Sequence, residues 1–434
     1  MKVYLNRNFL LTYVASFISL FGSKLLMMSY VAYIFAESGR ATLSSIVFAA
    51  EWATCLIVGL FGTRYIDRLN AKHLLIGLNF IAAFVTLLFV NFTRPEHYHY
   101  ALAIIAARAL LSHAVNSSRI KALVQFFTEE ETNIFSPIFN SSLFIATALA
   151  GAVGFYILNF IDFKTVVYID SVTFLIAAGM FIFVKPNKDR LAESIKTSQG
   201  EVAGKVAYIS SAFDIIAKNR QLASAVFYII LSVTSLQATY EILMTIIPQV
   251  WFNLGKPGTA LFFTLESLFV TFAAFLYQFL NRRGVITDTN QRKLNLVTVM
   301  LTTVAYLSIS QLQYHFYLCL IAFNVMVIGV ELIWTHQFKQ MIANIPSANV
   351  AAVTGLQMAM GYSLMGVFAF AFSTGVDQWG ITIAMYLNVM LLAILVGGWE
   401  IMMKGHRAEP LGIVGTNEGS ARSDTDRHAD ENSP

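Results

Sequence analysis

The chain has 434 residues, of which 57% are hydrophobic and only 12% charged, and its formal net charge at pH 7 is +4. Soluble domains carry about 25% charged residues, so this composition excludes an ordinary soluble protein. The small positive charge is explained by the basic loops described below and gives no support for nucleic-acid binding.

Long apolar runs recur along the whole sequence. A helix needs roughly 20 apolar residues to cross a hydrocarbon core about 30 Å thick, and these runs lack the alternation of barrel strands. We therefore predict an all-α membrane protein with twelve transmembrane helices, of which the first is too long for a cleavable signal and is expected to stay. The predicted spans are 9–36, 43–63, 74–93, 101–118, 135–161, 165–184, 222–248, 259–280, 294–310, 316–335, 350–375 and 380–402.

The basic residues predict the orientation. Most lie in alternate loops and in the two tails, and those in the other loops are only Arg40, Arg94, Lys164 and Lys256. The positive-inside rule therefore places both termini in the cytoplasm. We expect a multi-pass protein of the bacterial inner membrane.

A long polar segment divides the chain into two halves. Residues 1–184 are predicted to form an N-terminal six-helix bundle, 185–221 a cytoplasmic interdomain loop and 222–403 a C-terminal six-helix bundle. Residues 404–434 are polar and are predicted to be a disordered cytoplasmic tail. Both halves have a basic turn after their second span, which is a weak internal repeat of the kind expected in carriers built from two related bundles.

The first of these turns, "GTRYIDRLNAKHLL", resembles motif A of the major facilitator superfamily through Gly62, Asp67, Arg68 and Lys72. In the sixth span, "VVYIDSVTFLIAAGMFIF" resembles a signature of the drug-antiporter and siderophore-exporter branch (enterobactin-exporter-like and macrolide-efflux-like) through Asp170 and Phe174. The resemblance implies the major facilitator fold and a gating role for the four motif residues. It also implies that Asp67 contacts the N-terminus of the eleventh helix, for which Ser347 and Asn349 are expected caps.

Ionisable residues inside the spans are the candidates for a substrate and ion pathway. Each costs at least about 2.5–3.5 kcal/mol at a helix centre, so each is expected to face protein or water. Helix rise places two of them at the same depth and predicts an ion pair between Lys24 and Glu51. The candidates are Lys24, Glu51, Arg108, Asp170, Glu241, Glu266 and Glu331.

The three glutamates of the second half are candidate proton carriers, because burial favours the protonated form of a carboxyl group. Glu241 and Glu266 are expected in the outer half of their helices and Glu331 lower, so they need not form one cluster. In the first half, two alternatives stay open for Arg108. It either binds an anionic substrate together with Lys24, which is the favoured alternative, or pairs with an acid such as Asp170.

These features favour a secondary transporter over an enzyme. No cofactor is expected, since "GEVAGKV" lacks the spacing and hydroxyl of a phosphate loop. No metal is expected either, since "PEHYHY" offers only three donors, Glu96, His97 and His99. The resemblance implies a monomer in the lipid bilayer that exports a small organic molecule in exchange for protons. A siderophore is the favoured substrate; the alternatives are a multidrug or macrolide efflux pump and, less favoured, a non-transporting membrane receptor.

Overall fold

The computed structural model describes residues 6–58, 66, 69–187, 190–191, 205–286, 291–345 and 349–405. Helices and short connections make up these residues, with no strand in the described part of the chain. Two compact units make up the structure, divided between Met390 and Leu391. All contacts discussed below lie within the first unit.

The first half contains six helices that match the six predicted spans. They are α1 (Arg7–Ser38), α2 (Ala41–Ile57), α3 (Ala71–Leu88), α4 (Tyr98–Phe126), α5 (Glu129–Ile157) and α6 (Phe163–Ile182). The second helix is the shortest, with 17 described residues, and the inner end of its predicted span lies outside the described residues.

The second half contains a short helix followed by six long ones. They are α7 (Lys205–Lys218), α8 (Arg220–Val250), α9 (Gly255–Arg282), α10 (Gln291–Gln311), α11 (Phe316–Asn344), α12 (Val350–Trp379) and α13 (Ile381–Gly405). Eleven of the described helices in the two halves are long and apolar enough to cross a membrane, and α2 is a shorter apolar helix. The architecture is the predicted all-α membrane fold.

Part of the segment predicted as the interdomain loop is helical. Apolar residues recur three and four positions apart in α7, at 209, 212, 213 and 216, which is the period of a helix face. Ala212 is fully buried, and α7 packs against α8 and α12. A long polar interruption therefore does not exclude a short amphipathic helix within it.

Polar caps fix where several helices begin. The Asn6 side chain accepts hydrogen bonds from the backbone N–H groups of Asn8 and Phe9 at the start of α1. Thr128 and Glu131 form a capping box at the start of α5. Such caps satisfy N–H groups that the helix leaves open and stabilise it by about 1 kcal/mol each. At the other end of α1, Gly39 adopts a φ of +64°, the left-handed conformation that ends many helices.

The two halves meet through a small set of helices. α2 packs along α12, α5 packs along α9, and α1 contacts both α8 and α9. Close approach of α5 to α9 depends on Gly151, because a Cβ at that position would overlap the Thr264 side chain and backbone. Four of these helices, α1, α2, α8 and α9, also carry predicted pathway residues.

Candidate functional site

One stripe of α8 is partly exposed while the rest of that stretch is enclosed by protein. Every described side chain from 231 to 248 is buried except those of Gln237 and Glu241, which are half-buried. Residues four apart share a helix face, so the two side chains point the same way. Since the helix is otherwise surrounded by protein, these side chains face a water-accessible space inside the molecule.

The carboxyl groups of the second half each accept a hydrogen bond from a neutral donor. Gln237 Nε2 donates to Glu241 Oε1 at 3.1 Å. Glu266 accepts from the Tyr240 hydroxyl at 3.4 Å and from Ser267 Oγ at 3.1 Å. The third carboxyl, Glu331, accepts from Thr335 Oγ1 at 2.9 Å.

Tyr240 brings these three acids together. Its hydroxyl donates a hydrogen bond to Glu266 and interacts electrostatically with Glu241 and Glu331, and Glu266 in turn interacts with both other acids. The sequence analysis left open whether the glutamates form one cluster, because depth along separate helices does not account for how far each side chain reaches. Together with Tyr240, the three glutamates form what we call the acid cluster.

A π-helical segment lies directly before the acid cluster in α8. It comprises Ser232–Gln237, and the backbone N–H of Ala238 donates to the carbonyl of Val233, five residues earlier. Such segments are rare, are inserted within α-helices and are frequent at functional sites. This one contains Gln237 and precedes Tyr240 and Glu241.

The predicted ion pair between Lys24 and Glu51 is present. Lys24 Nζ lies 3.9 Å from Glu51 Oε1, and the two side chains are 35% and 28% exposed. Lys24 also interacts electrostatically with Glu241 and Glu266. A cation of the first half therefore lies close to the acid cluster of the second.

Arg108 is not available to a substrate, which corrects the favoured alternative of the sequence analysis. Its Nη2 and Nε atoms donate to Asp170 Oδ2 at 2.6 and 2.9 Å. The two side chains are 8% and 0% exposed, and the guanidinium lies 5.7 Å from the Phe174 ring centroid. Burial of two opposite charges requires close pairing of this kind. The pair joins α4 to α6 within the first half.

Of the four motif A residues, the structure describes one. Gly62, Asp67 and Arg68 lie outside the described residues, as does Ser347. Lys72 lies in the first turn of α3, and its Nζ donates to the carbonyl oxygens of Ile182 and Val184, both at 2.7 Å. It therefore caps the C-terminal end of α6, a favourable place for a cation.

At the start of α12, Asn349 occupies the N-cap position but makes no side-chain cap hydrogen bond. The expectation that its side chain caps this helix is therefore wrong.

A carboxylate that the sequence analysis passed over joins the halves on the predicted outer side. Asp377, near the end of α12, accepts hydrogen bonds from the backbone N–H groups of Ala41 at 2.7 Å and Thr42 at 3.0 Å, and from the Thr42 hydroxyl. An acid is unfavourable at the C-terminus of its own helix but favourable at the N-terminus of another. Asp377 therefore caps the start of α2.

Further contacts between the halves lie at the same side. Gln249 Nε2 donates to the Ala32 carbonyl at 3.3 Å, and Lys256 Nζ lies 4.9 Å from the Tyr33 ring centroid. All these residues lie at the predicted outer ends of α1, α2, α8, α9 and α12. These contacts hold the two halves together at the predicted outer side.

Comparison with known proteins identifies this fold. A family model described as the Major Facilitator Superfamily matches residues 12–370. The chain belongs to this superfamily. It is therefore a multi-pass membrane transporter and not an enzyme.

Solved transporter structures share the fold at low identity. A nucleoside transporter superposes with a TM-score of 0.67 at 15% identity, covering 91% of this chain and 99% of that chain. A POT family transporter in complex with 5-aminolevulinic acid superposes with a TM-score of 0.68 at 11% identity, covering 92% of this chain and 96% of that chain. A D-xylose–proton symporter superposes with a TM-score of 0.66 at 12% identity, covering 90% of this chain and 97% of that chain. At such identities the likeness shows the fold alone, and no curated protein sequence matches the chain significantly.

Sequence reasoning missed Gln237, Tyr240 and Asp377 because it searched the span centres for charge. Tyr240 had a usable signal, since it stands next to Glu241 in the same span. Asp377 had one as well, because an acid in the last turn of a helix needs a partner outside that helix.

Proposed function

We propose that the protein is a proton-coupled secondary transporter that exports a small organic molecule by alternating access. The observation that carries this proposal is the acid cluster. Within the described part of the chain, none of its glutamates forms an ion pair with Lys or Arg. Glu241 additionally faces the internal water-accessible space. Carboxyl groups in such a place can exchange protons with water.

The arrangement around the cluster suits a reversible proton site. Neutral donors such as Gln237 and Ser267 stabilise the ionised carboxylates, whereas the neighbouring acids oppose simultaneous ionisation of all three. A proton can therefore be held or released with a modest change of environment. Movement of the two halves supplies such a change, since Lys24 of the first half lies close to the cluster.

The charges favour an amine-bearing, cationic substrate. The case for an anionic siderophore required two available cations, and Arg108 is neutralised by Asp170. Lys24 is paired with Glu51, so the remaining charge near the water-facing stripe is mainly negative. An ammonium group and protons would compete for the same carboxylates, which couples their movements in opposite directions. This is the drug-efflux alternative of the sequence analysis.

A siderophore remains the second candidate because Lys24 is about one-third exposed and only loosely paired. An anionic substrate would have to displace Glu51 from it. The direction of transport rests on the resemblance to the exporter branch. The D-xylose–proton symporter supports proton coupling as a capacity of this fold, without bearing on direction or substrate.

The substrate class is tested with purified protein in liposomes under an imposed pH gradient. The panel comprises ethidium, erythromycin and a catecholate siderophore, each with wild type and Lys24→Gln. We expect transport of ethidium or erythromycin, with little loss in Lys24→Gln. If only the siderophore is transported, and Lys24→Gln abolishes its transport, the substrate is anionic and the proposal of a cationic substrate is wrong.

A further inference from the structure

The π segment of α8 makes hydrogen bonds to a polar network on its buried side. Asn388 Nδ2 in α13 donates to the Ser235 carbonyl at 2.8 Å, and Ser235 Oγ donates back to Asn388 Oδ1 at 3.2 Å. Asn388 Nδ2 also lies 3.4 Å from the Tyr306 hydroxyl of α10. Thr239 Oγ1 donates to the same Ser235 carbonyl at 3.0 Å. These four residues form what we call the Asn388 network.

The network occupies the dry side of α8, opposite the water-facing stripe. Ser235, Thr239 and Tyr306 have no exposed surface, and Asn388 is 7% exposed. Gln237 and Glu241 are the half-buried residues of the same stretch. One face of the helix is therefore held by α10 and α13 while the other carries the acid.

The direction of Glu241 depends on the extra residue in the π turn. In an α-helix each residue turns the chain by about 100°, so one additional residue in a turn rotates everything that follows by that amount. If the segment relaxed to a regular α-helix, Glu241 would turn away from the water-accessible space. The π turn therefore needs contacts that stabilise it. The Ser235 carbonyl within it accepts hydrogen bonds from two side chains, those of Asn388 and Thr239.

We propose that Asn388 is a positioning residue that holds the π segment and thereby directs Glu241 toward the water-accessible space. The inference rests on the proposed function only for the role of Glu241 as a proton carrier. The direction of the Glu241 side chain does not depend on whether transport is coupled to protons. An amide buried among helices is costly unless it is hydrogen-bonded, and the reciprocal pair with Ser235 uses both of its ends.

A matched control lies in the same half of the chain. Asn324 of α11 is 5% exposed, and its Nδ2 donates to the Leu320 carbonyl of its own helix at 2.7 Å. Its replacement by Leu removes a buried amide whose hydrogen bond lies within α11. A general loss of stability therefore appears in Asn324→Leu and Asn388→Leu alike, whereas a change in Glu241 direction appears only in the latter.

The experiment measures the reactivity of a thiol at position 241. Full-length protein carrying Cys55→Ser and Glu241→Cys is purified in detergent, and its modification rate by a small cationic methanethiosulfonate is followed by mass spectrometry. Cys319 is fully buried and stays in every variant. Addition of Asn388→Leu should lower the rate at position 241 by about tenfold, since a rotation of about 100° moves the thiol into packed protein. Asn324→Leu should leave it unchanged.

An unchanged rate in folded Asn388→Leu protein would overturn the inference, as would an equal fall in Asn324→Leu. If Asn388→Leu does not give a monodisperse protein, Asn388→Ala removes the same donor to the Ser235 carbonyl with a small side chain that cannot overpack the site. It should lower the rate in the same direction, and an unchanged rate there also counts against the inference. Failure of the proposed function shows separately, as unaltered proton coupling in Glu241→Gln.

Discussion

Two ion pairs of the first half differ in how far water reaches them, and this difference decides what each residue can do. Arg108 and Asp170 are almost completely buried at 2.6 Å, whereas Lys24 and Glu51 are about one-third exposed at 3.9 Å. Breaking a buried pair leaves an uncompensated charge in protein, while an exposed charge retains its hydration. The first pair is therefore structural, and the second is free to respond to substrate or to movement.

Stability measurements should separate the two pairs. Arg108→Gln is expected to destabilise the protein by about 3–5 kcal/mol, because it strands the Asp170 carboxylate. Lys24→Gln is expected to cost less than about 1 kcal/mol. Thermal unfolding in detergent checks both, with the double variant Arg108→Met and Asp170→Leu expected to regain much of the loss. Equal destabilisation by the two single variants would contradict this assignment.

The acid cluster gives a prediction for each of its glutamates. Glu241→Gln should abolish substrate accumulation driven by a pH gradient while preserving downhill exchange, because an amide cannot carry a proton. Glu266→Gln and Glu331→Gln should weaken accumulation through loss of neighbouring acids. The exposed loop residue Glu96 provides the control, and Glu96→Gln should behave as wild type. Full accumulation in all three cluster variants would show that the acid cluster takes no part in proton coupling.

At the scale of helices, the approach of α1 to α6 depends on one glycine. A Cβ at position 22 would overlap Thr173 Oγ1 and lie 2.7 Å from Asp170 Oδ1. Because Asp170 is already fixed by Arg108, it cannot move aside without loss of that ion pair. Small residues at such contacts let membrane helices pack closely.

Gly22→Ala should therefore destabilise the protein by about 1–3 kcal/mol, the usual cost of overpacking. Gly77 of α3 is the matched control, since nothing lies within 4 Å of its added Cβ. Gly77→Ala should be neutral or stabilising by up to about 1 kcal/mol, because Ala favours helices. Thermal unfolding of the two variants provides the comparison, and similar melting temperatures would refute the packing argument.

The span positions and one ion pair could be predicted from the sequence because both depend on local rules. Run length locates a spanning helix, and helix rise relates the depths of Lys24 and Glu51. The π segment could not be predicted, because it is held by Asn388, which is 153 residues from Ser235. Asp377 likewise caps a helix 336 residues away. Such contacts depend on how the helices pack against one another, and this packing cannot be predicted from the sequence of one span.

For the whole molecule, closure of the outer side depends on contacts such as that of Asp377 with the start of α2. Asp377→Ala should loosen this closure and favour opening to the outside. A thiol at position 49 reports on it, since Ala49 of α2 packs against Gly366 of α12. In cells expressing Cys55→Ser with Ala49→Cys, an impermeant maleimide should react several-fold faster after Asp377→Ala.

Asp162 supplies the control for that experiment. It also caps a helix near the outer side, but the helix, α6, belongs to the same half. Hydrogen bonds from the Thr165 hydroxyl and backbone N–H hold the pKa of Asp162 below its usual range, so this cap persists at neutral pH and is lost only as pH falls through that lowered value. Asp162→Asn should leave the labelling at position 49 unchanged. The same acceleration in both variants would show that closure does not depend on Asp377 in particular.

The account as a whole claims that substrate and protons move in opposite directions through one acid cluster. Proton movement during substrate flux tests this most directly. Liposomes containing the purified protein and an internal pH dye receive ethidium or erythromycin, whichever is transported, with no initial pH gradient. The account predicts that inward flux of the compound drives protons outward and raises the internal pH, and that Glu241→Gln abolishes this change while flux continues. Flux without any pH change in wild type, or with protons moving in the same direction, would contradict it.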